Sequence, residues 1–347
     1  MSETIEHSPA CLARYKMVLD QYRLRKDAVV EVLERHKDGR GAGGRRFDVA
    51  RLDAIASRGG PLLPLPGGVY RITPRVVSDI RRGKVQTLHP SLLGPLVAHE
   101  LGGALGIPAY FVDPESTDEF RDISRVSGLK GVSRRALSHA LSCRAVALAA
   151  AKRLGRSYSK CNLVVAHLGT GITVAAHVKG RQVDATNAND EGPFSPQRAG
   201  TLPNSSLVRL CFSGRYTEQD VINLIHRRGG LISHFGTDDI RLVERLVKRG
   251  NASAVRVYDA MVYQIAKAIG AYSVACKGKV DAVVLTGGLT DSRRLVNDLK
   301  KWIRFLSSRV FVYRGEEEMS ALAGRLLAVL KGKEKARRYE QEVTVRR

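Results

Sequence analysis

CNLVVAHLGTGITVAAHVKGRQVDA, residues 161–185, holds three strand-like runs: Leu163–Ala166, Ile172–Ala176 and Gln182–Ala185. Gly169-Thr170-Gly171 and Lys179-Gly180 join them, connections short enough for antiparallel hairpins, so the stretch reads as a β-meander. Downstream, hydrophobic periodicity predicts helices around 204–212, 217–226, 238–248 and 252–276. A strand Ala282–Thr286, a helix to about 306, a strand Val310–Tyr313 and a last helix over 317–331 follow. Upstream, the pattern predicts a helix over 14–36, a short strand Ala54–Ser57 and a turn-rich stretch from Arg58-Gly59-Gly60 to Pro66-Gly67-Gly68. Helices near 74–82 and 91–105, a strand Pro108–Val112 and a helix over 133–154 with Ser133 as its N-cap come next. Such alternation is that of an α/β protein, and the change of texture puts a domain boundary near 158–161.

The chain has 347 residues, long for one compact core, and 44% of them are hydrophobic, so two globular domains are expected. Lys and Arg number 57 against 34 Asp and Glu, a net of +23, which attracts phosphates and other polyanions without naming one. The first residues carry Glu3, Glu6 and His7 and no apolar leader core, and no apolar run is long enough to span a bilayer, so a cytoplasmic protein without membrane partners is expected. Five widely spaced cysteines without a Cys-x-x-Cys pair point to reduced thiols rather than a disulfide framework or a zinc site.

The P-loop pattern Gly-x-x-x-x-Gly-Lys-[Ser/Thr] is missing from the sequence. Gly39, Gly41 and Gly44 spell Gly-x-Gly-x-x-Gly, yet no strand precedes them, so they read as a solvated basic loop, with contact to RNA as the alternative. Two other places suit an anion. His167-Leu168-Gly169-Thr170-Gly171 lies in a hairpin connection where glycines let backbone N–H groups approach closely. Leu285-Thr286-Gly287-Gly288-Leu289-Thr290 hands a strand over to a helix, where unpaired N–H groups favour negative charge. Arg58 and Arg198 have the fork that suits phosphate, although in so basic a chain most arginines are simply solvated, and His89, His139 and His167 sit near turns or helix starts.

Read jointly, these motifs resemble the butyrate kinase branch of the acetate and butyrate kinase family. Residues 162–172 followed by Gly192-Pro193-Phe194-Ser195-Pro196-Gln197-Arg198-Ala199-Gly200 look like its paired phosphate-loop and arginine signatures. Arg58-Gly59-Gly60, Ile107–Pro114, Ser138-His139-Ala140-Leu141, Asp281–Gly288 and Gly315–Leu322 agree as well, so the likeness runs from about residue 14 to about residue 339.

The resemblance implies a two-domain, actin-like and sugar-kinase-like fold closing on a nucleotide. Its domains would be residues 1–160, residues 161–315, and a C-terminal helix with a charged tail over 316–347 that packs back on the first domain. It implies a phosphotransferase using ATP/ADP and Mg²⁺ to make butanoyl phosphate from butyrate, expected as a homo-oligomer. Arg58 and Arg198 would clamp the moving phosphoryl, His139 and His89 would donate to its oxygens, and Asp113 and Glu318 would hold Mg²⁺. His167, Gly169, Thr170, Gly171, Gly287 and Gly288 would bind the nucleotide phosphates. Family members open with a strand and an Asn-x-Gly-Ser-Thr-Ser-x-Lys loop, whereas this sequence reaches its first helix almost at once, so the first domain's sheet is expected to be incomplete and smaller than the second's. Thr170, Gln197 and Thr201 stand where the family usually has Gly, Glu and Gly. The alternatives are a member that only binds ligands, a chain with a mis-assigned start, or a basic nucleic-acid-binding protein, the last disfavoured because no reading motif accompanies the charge.

Overall fold

A computed structural model describes residues 3–37, 48–315 and 318–343. The Gly39–Gly44 motif, together with Glu316 and Glu317, lies outside them. Among the described residues nine strands, β1 (Ile55–Arg58), β2 (Val69–Arg71), β3 (Ala109–Val112), β4 (Asn162–Leu168), β5 (Ile172–Val178), β6 (Arg181–Ala185), β7 (Ala282–Thr286), β8 (Val310–Val312) and β9 (Arg337–Arg338), form two sheets. The fold is α/β. Two compact units divide the chain: Met1–Thr117 with Met319–Arg347, and Asp118–Glu318.

The division at 117/118 differs from the boundary expected near 158–161, and hydrogen bonds give the reason. Gln182 N–H donates to Glu119 Oε2 at 2.7 Å, and Arg121 N–H to the Val183 carbonyl at 3.0 Å, which fastens the segment after residue 117 to β6. Helix Ala140–Arg153 then packs Cys143, Val146, Ala147 and Ala150 against Leu163 and Val165 of β4.

The first unit's sheet has the order β1-β3-β2-β9, with β1 and β3 parallel and β2 antiparallel to β3. Its four strands against the second unit's five match the expected difference in size. Tyr70 stacks on Phe111 at 5.0 Å between centroids, and Tyr339 meets Phe111 edge-on at 6.3 Å. In the tail β9 pairs with β2 in parallel and Tyr339 is fully buried, because one large ring just after the strand gives a polar segment something to bury.

In the second unit the order is β6-β5-β4-β7-β8, with β4, β5 and β6 antiparallel as the meander requires and β4, β7 and β8 parallel. Side chains alternate across a strand. Val164, Ala166 and Leu168 therefore join the core under helices Ala252–Ser273 and Arg293–Ile303, while Leu163 and Val165 join the core under Ala140–Arg153. Both faces are covered, which explains the near-continuous apolar run of β4. On the second face His177 is fully buried, its Nδ1 2.7 Å from the Tyr158 hydroxyl, and burial, reinforced by Arg144, lowers its pKa to about 3.

One helix starts later than its sequence pattern predicts. Ser133 does not cap it but forms an antiparallel bridge with Val126, and the helix begins at Ala140 with His139 at the N-cap position. Arg134 holds the intervening chain extended by donating to Asp184 (2.9 Å), Glu191 (2.8 Å) and the Ser124 carbonyl (2.6 Å). A short helix over Gly230–Phe235 was not expected at all.

Candidate functional site

The second unit gathers its glycine-rich turns at one end of β4. Leu168 pairs with Ile172 across the Gly169-Thr170-Gly171 turn, and Gly169 N–H donates to the Gly171 carbonyl at 3.2 Å. A Cβ on Gly171 would stand 2.4 Å from Arg198 Nη1 and 2.6 Å from its Cζ, so the guanidinium lies directly on the bare glycine. Ser195 fixes this arrangement. Its buried hydroxyl donates to the Thr170 carbonyl and accepts from Arg198 N–H at 3.1 Å, while Ser195 N–H donates to the Arg198 carbonyl at 3.0 Å. The loop is closed from behind by Gly230, which has φ +56° and whose added Cβ would fall 1.6 Å from the Ser195 carbonyl oxygen.

The β7 turn converges on the same end. Gly287 has φ +91°, and a Cβ there would meet the Leu168 carbonyl oxygen at 2.5 Å. Gly288 is exposed and opens the short 3-10 turn Gly288–Asp291, after which Ser292 caps helix Arg293–Ile303 through Leu295 N–H at 2.9 Å. Beside these residues is a pocket of about 640 Å³ lined by Asp238, Asp239, Ile240, Arg241, Glu244, Gly288, Leu289, Asp291, Ser292, Arg293 and Arg294. Gln197 Nε2 donates to Asp238 at 2.8 Å, which links the Arg198 loop to the pocket wall. Arg241 donates through two nitrogens to the Asp239 carboxylate at 2.9 Å each and holds that carboxyl below its usual range.

His139 and His167 stack face to face, 4.2 Å between centroids and 16° between planes. His139 Nδ1 is 2.8 Å from Thr173 Oγ1, and His167 Nε2 would be 3.0 Å from a Cβ on Gly169, so the buried imidazole backs the turn. Glu318 belongs to this neighbourhood: its Oε1 accepts from Ser142 Oγ at 3.2 Å, and Ser142 lies in the first turn of the helix that His139 begins.

The first unit holds the remaining predicted residues: Arg58 ends β1, Asp113 follows β3, and His89 caps the 3-10 turn Pro90–Leu92. Arg58 Nη2 is 3.4 Å from Glu115 Oε1, and His89 Nδ1 is 3.6 Å from Glu115 Oε2 and 2.7 Å from Ser91 Oγ. Asp113 follows β3 with φ +36° and is buried; its Oδ1 accepts from Gly68 N–H at 2.8 Å and its Oδ2 lies 3.1 Å from Arg325 Nη1. Among the described residues no group of three or more His, Cys, Asp or Glu side chains is arranged to hold a metal, and no helix is long and apolar enough to cross a membrane.

Sequence reasoning missed Glu115, Thr173, Arg325 and the Asp238–Arg241 wall. Asp239 carries the one local signal, an acid at the N-cap of helix Ile240–Lys248, but capping explains that without any ligand.

A profile of the acetokinase family matches residues 125–309. The chain belongs to that family. Membership makes it a carboxylate kinase, a phosphotransferase, and the matched span contains the Gly169–Gly171 turn, Arg198 and Gly287-Gly288. Among solved structures it is similar to an acetate kinase from Porphyromonas gingivalis, at 23% identity over 88% of this chain and 84% of that one, with a TM-score of 0.72. A propionate kinase from Francisella tularensis subsp. tularensis SCHU S4 matches at 19% identity over 87% and 83%, with a TM-score of 0.67. An acetate kinase from Entamoeba histolytica matches at 13% over 87% and 85%, with a TM-score of 0.70. At these identities the structures speak for the acetokinase fold.

Proposed function

We propose that this acetokinase-family chain transfers the γ-phosphoryl of ATP to a short-chain carboxylate, with butyrate the acid favoured by its sequence signatures. A carboxylate oxygen forms a new P–O bond while the bond to the β-phosphate oxygen breaks, giving an acyl phosphate and ADP. The observation that carries the reading is the Arg198 guanidinium resting on Gly171, in a turn whose two glycines leave the backbone open to a close-approaching phosphate.

The nucleoside fits the pocket along Asp238–Arg241 and Gly288, where the Asp239 carboxylate can accept from ribose hydroxyls. Its phosphates run toward Gly287-Gly288 and Gly169–Gly171, whose backbone can approach them closely. Arg198 and His139 then meet the negative charge that spreads over the phosphoryl oxygens in the transition state. Thr173 orients the His139 ring through Nδ1. In the first unit, Glu115 holds Arg58 and His89 as a pair of anion contacts.

Magnesium prefers one or two carboxylates completed by water and phosphate oxygens rather than an all-protein cage, so it needs no larger acidic cluster. Glu318 fits as a hard oxygen ligand. Asp113 in the first unit, engaged by Gly68 and Arg325, is the other carboxylate that the resemblance offers. When bound, the ion neutralises phosphate charge.

The test is hydroxamate trapping of acyl phosphate made from ATP, Mg²⁺ and acetate, propionate or butyrate, with folding followed by circular dichroism. Arg198→Ala should lower turnover by about a hundredfold or more, since a donor aimed at developing charge in a dry site contributes about 3–4 kcal/mol. Arg198→Lys should recover little, because an ammonium lacks the planar two-pronged contact. Equal turnover in the folded Arg198→Ala variant and the parent would refute the clamp, and the best kcat/KM among the three acids decides the substrate.

A further inference from the structure

The loop that carries Arg198 is laid on the chain that leads to the pocket wall. Ala199 N–H donates to the Ile225 carbonyl at 2.8 Å and Gly229 N–H to the Gln197 carbonyl at 3.0 Å, while Leu231 and Ile232 N–H donate to the Ser195 and Pro196 carbonyls at 3.3 and 3.1 Å. Gly229 and Gly230 permit this backbone-on-backbone seat: a Cβ on Gly229 would stand 2.4 Å from Ala199 N, and one on Gly230 would run into Ser195. Helix Gly230–Phe235 starts from the seat, Gly236 ends it with φ +69°, and two residues later the chain reaches Asp238 and the wall Asp239–Arg241.

Backbone bonds fix the near end of this segment, and the side chain of Gln197 fastens its far end, donating from Nε2 to Asp238 Oδ2 at 2.8 Å. Asp238 is exposed and lines the pocket. Among the described residues no cation pairs with it, Arg241 being engaged by Asp239. A neutral amide donor suits a carboxylate without a counter-ion, whereas a second carboxylate would repel it. Gln197 stands where the family usually has Glu, so the departure is matched to its partner.

We propose that Gln197 is a positioning residue that couples the nucleotide pocket to Arg198. A nucleotide seated against Asp238–Arg241 fixes Asp238, and the Gln197–Asp238 bond passes that order to the residue next to Arg198, so the clamp is set as the nucleotide arrives. The inference rests on the phosphotransfer reading and adds regulation of the same site. Linkage makes the effect reciprocal: an ordered Arg198 loop tightens the nucleotide by the same factor.

Two readouts on the full-length protein test it: amide hydrogen exchange with and without saturating ADP, and kcat in the hydroxamate assay. In the parent, ADP should slow exchange at 195–199 as well as at 238–241. Gln197→Ala should keep the protection at 238–241 and lose it at 195–199, with ADP affinity and kcat each about fivefold lower, the low end for a coupling free energy. Gln197→Glu should be worse than Gln197→Ala, because it sets two carboxylates together. Adding Asp238→Asn to Gln197→Glu should recover the protection and kcat, since amide and carboxylate then exchange roles, a rescue that a merely structural Gln197 would not show. The proposal is overturned if ADP leaves 195–199 unprotected in the parent, if the protection survives in folded Gln197→Ala, or if the double variant is no better than Gln197→Glu alone. A parent that shows the spread of protection yet traps no acyl phosphate from acetate, propionate or butyrate would refute the kinase reading and uphold the coupling.

Discussion

A methyl group at position 171 would stand 2.4 Å from Arg198 Nη1, so Gly171→Ala should push the guanidinium off its turn. We expect hydroxamate formation to fall nearly as far as in Arg198→Ala while the thermal midpoint moves little, because a flexible side chain gives way rather than the backbone. Gly288→Ala is the counterpart: a Cβ there meets nothing within 4 Å, so the fold should be unchanged and any loss should appear in the KM for ATP. His177 governs another measurable property. Its pKa is about 3 in the folded protein against 6.5 for a free side chain, so the unfolded chain binds more protons between those values. Stability is therefore fully present above pH 6.5 and declines as pH falls toward 3, by about 2 kcal/mol between pH 7 and pH 5 from this residue alone. Urea midpoints at those two pH values should converge in His177→Gln relative to the parent, and an unchanged pH slope would contradict the assignment.

One fully buried ring anchors the strand β9 and the helix Tyr339–Glu342 in addition to the pairing with β2. Tyr339→Ala should cost about 3–5 kcal/mol through the cavity left beside Phe111 and Tyr70, with amide exchange speeding up first in β2. That strand pair was illegible in the sequence because two arginines carry it and neither has the alternation of a half-buried strand. Helix Ala140–Arg153 was legible as a helix but not at its start, where the contacts of Arg134 with Asp184 and Glu191 override local propensity. The meander and the helices over 252–276 were readable because buried faces impose periods of 2 and 3.6 on the residues themselves. The two glycine turns showed for the same kind of reason, since Gly171 and Gly287 sit where backbone or guanidinium leaves no room. Glu115 and Thr173 left no such trace: each matters only through a partner distant in the chain.

At the scale of the molecule, the two units have separate cores, Leu62 and Tyr70 centring one and Val164 and Tyr258 the other. Denaturant unfolding is accordingly expected to depart from a single transition. Trp302 belongs to the second unit, so its emission should follow that unit while far-ultraviolet dichroism follows both; coincident curves would show that the units unfold together. The first unit is also built from two distant stretches, with β9 at residues 337–338 beside β2 at 69–71. During synthesis, then, the interior unit is complete once Glu318 has left the ribosome, whereas the sheet begun by β1 and β2 waits for residues 337–338. A ribosome paused between those points would carry a finished second unit and an open sheet, the interval in which a chaperone has most to cover.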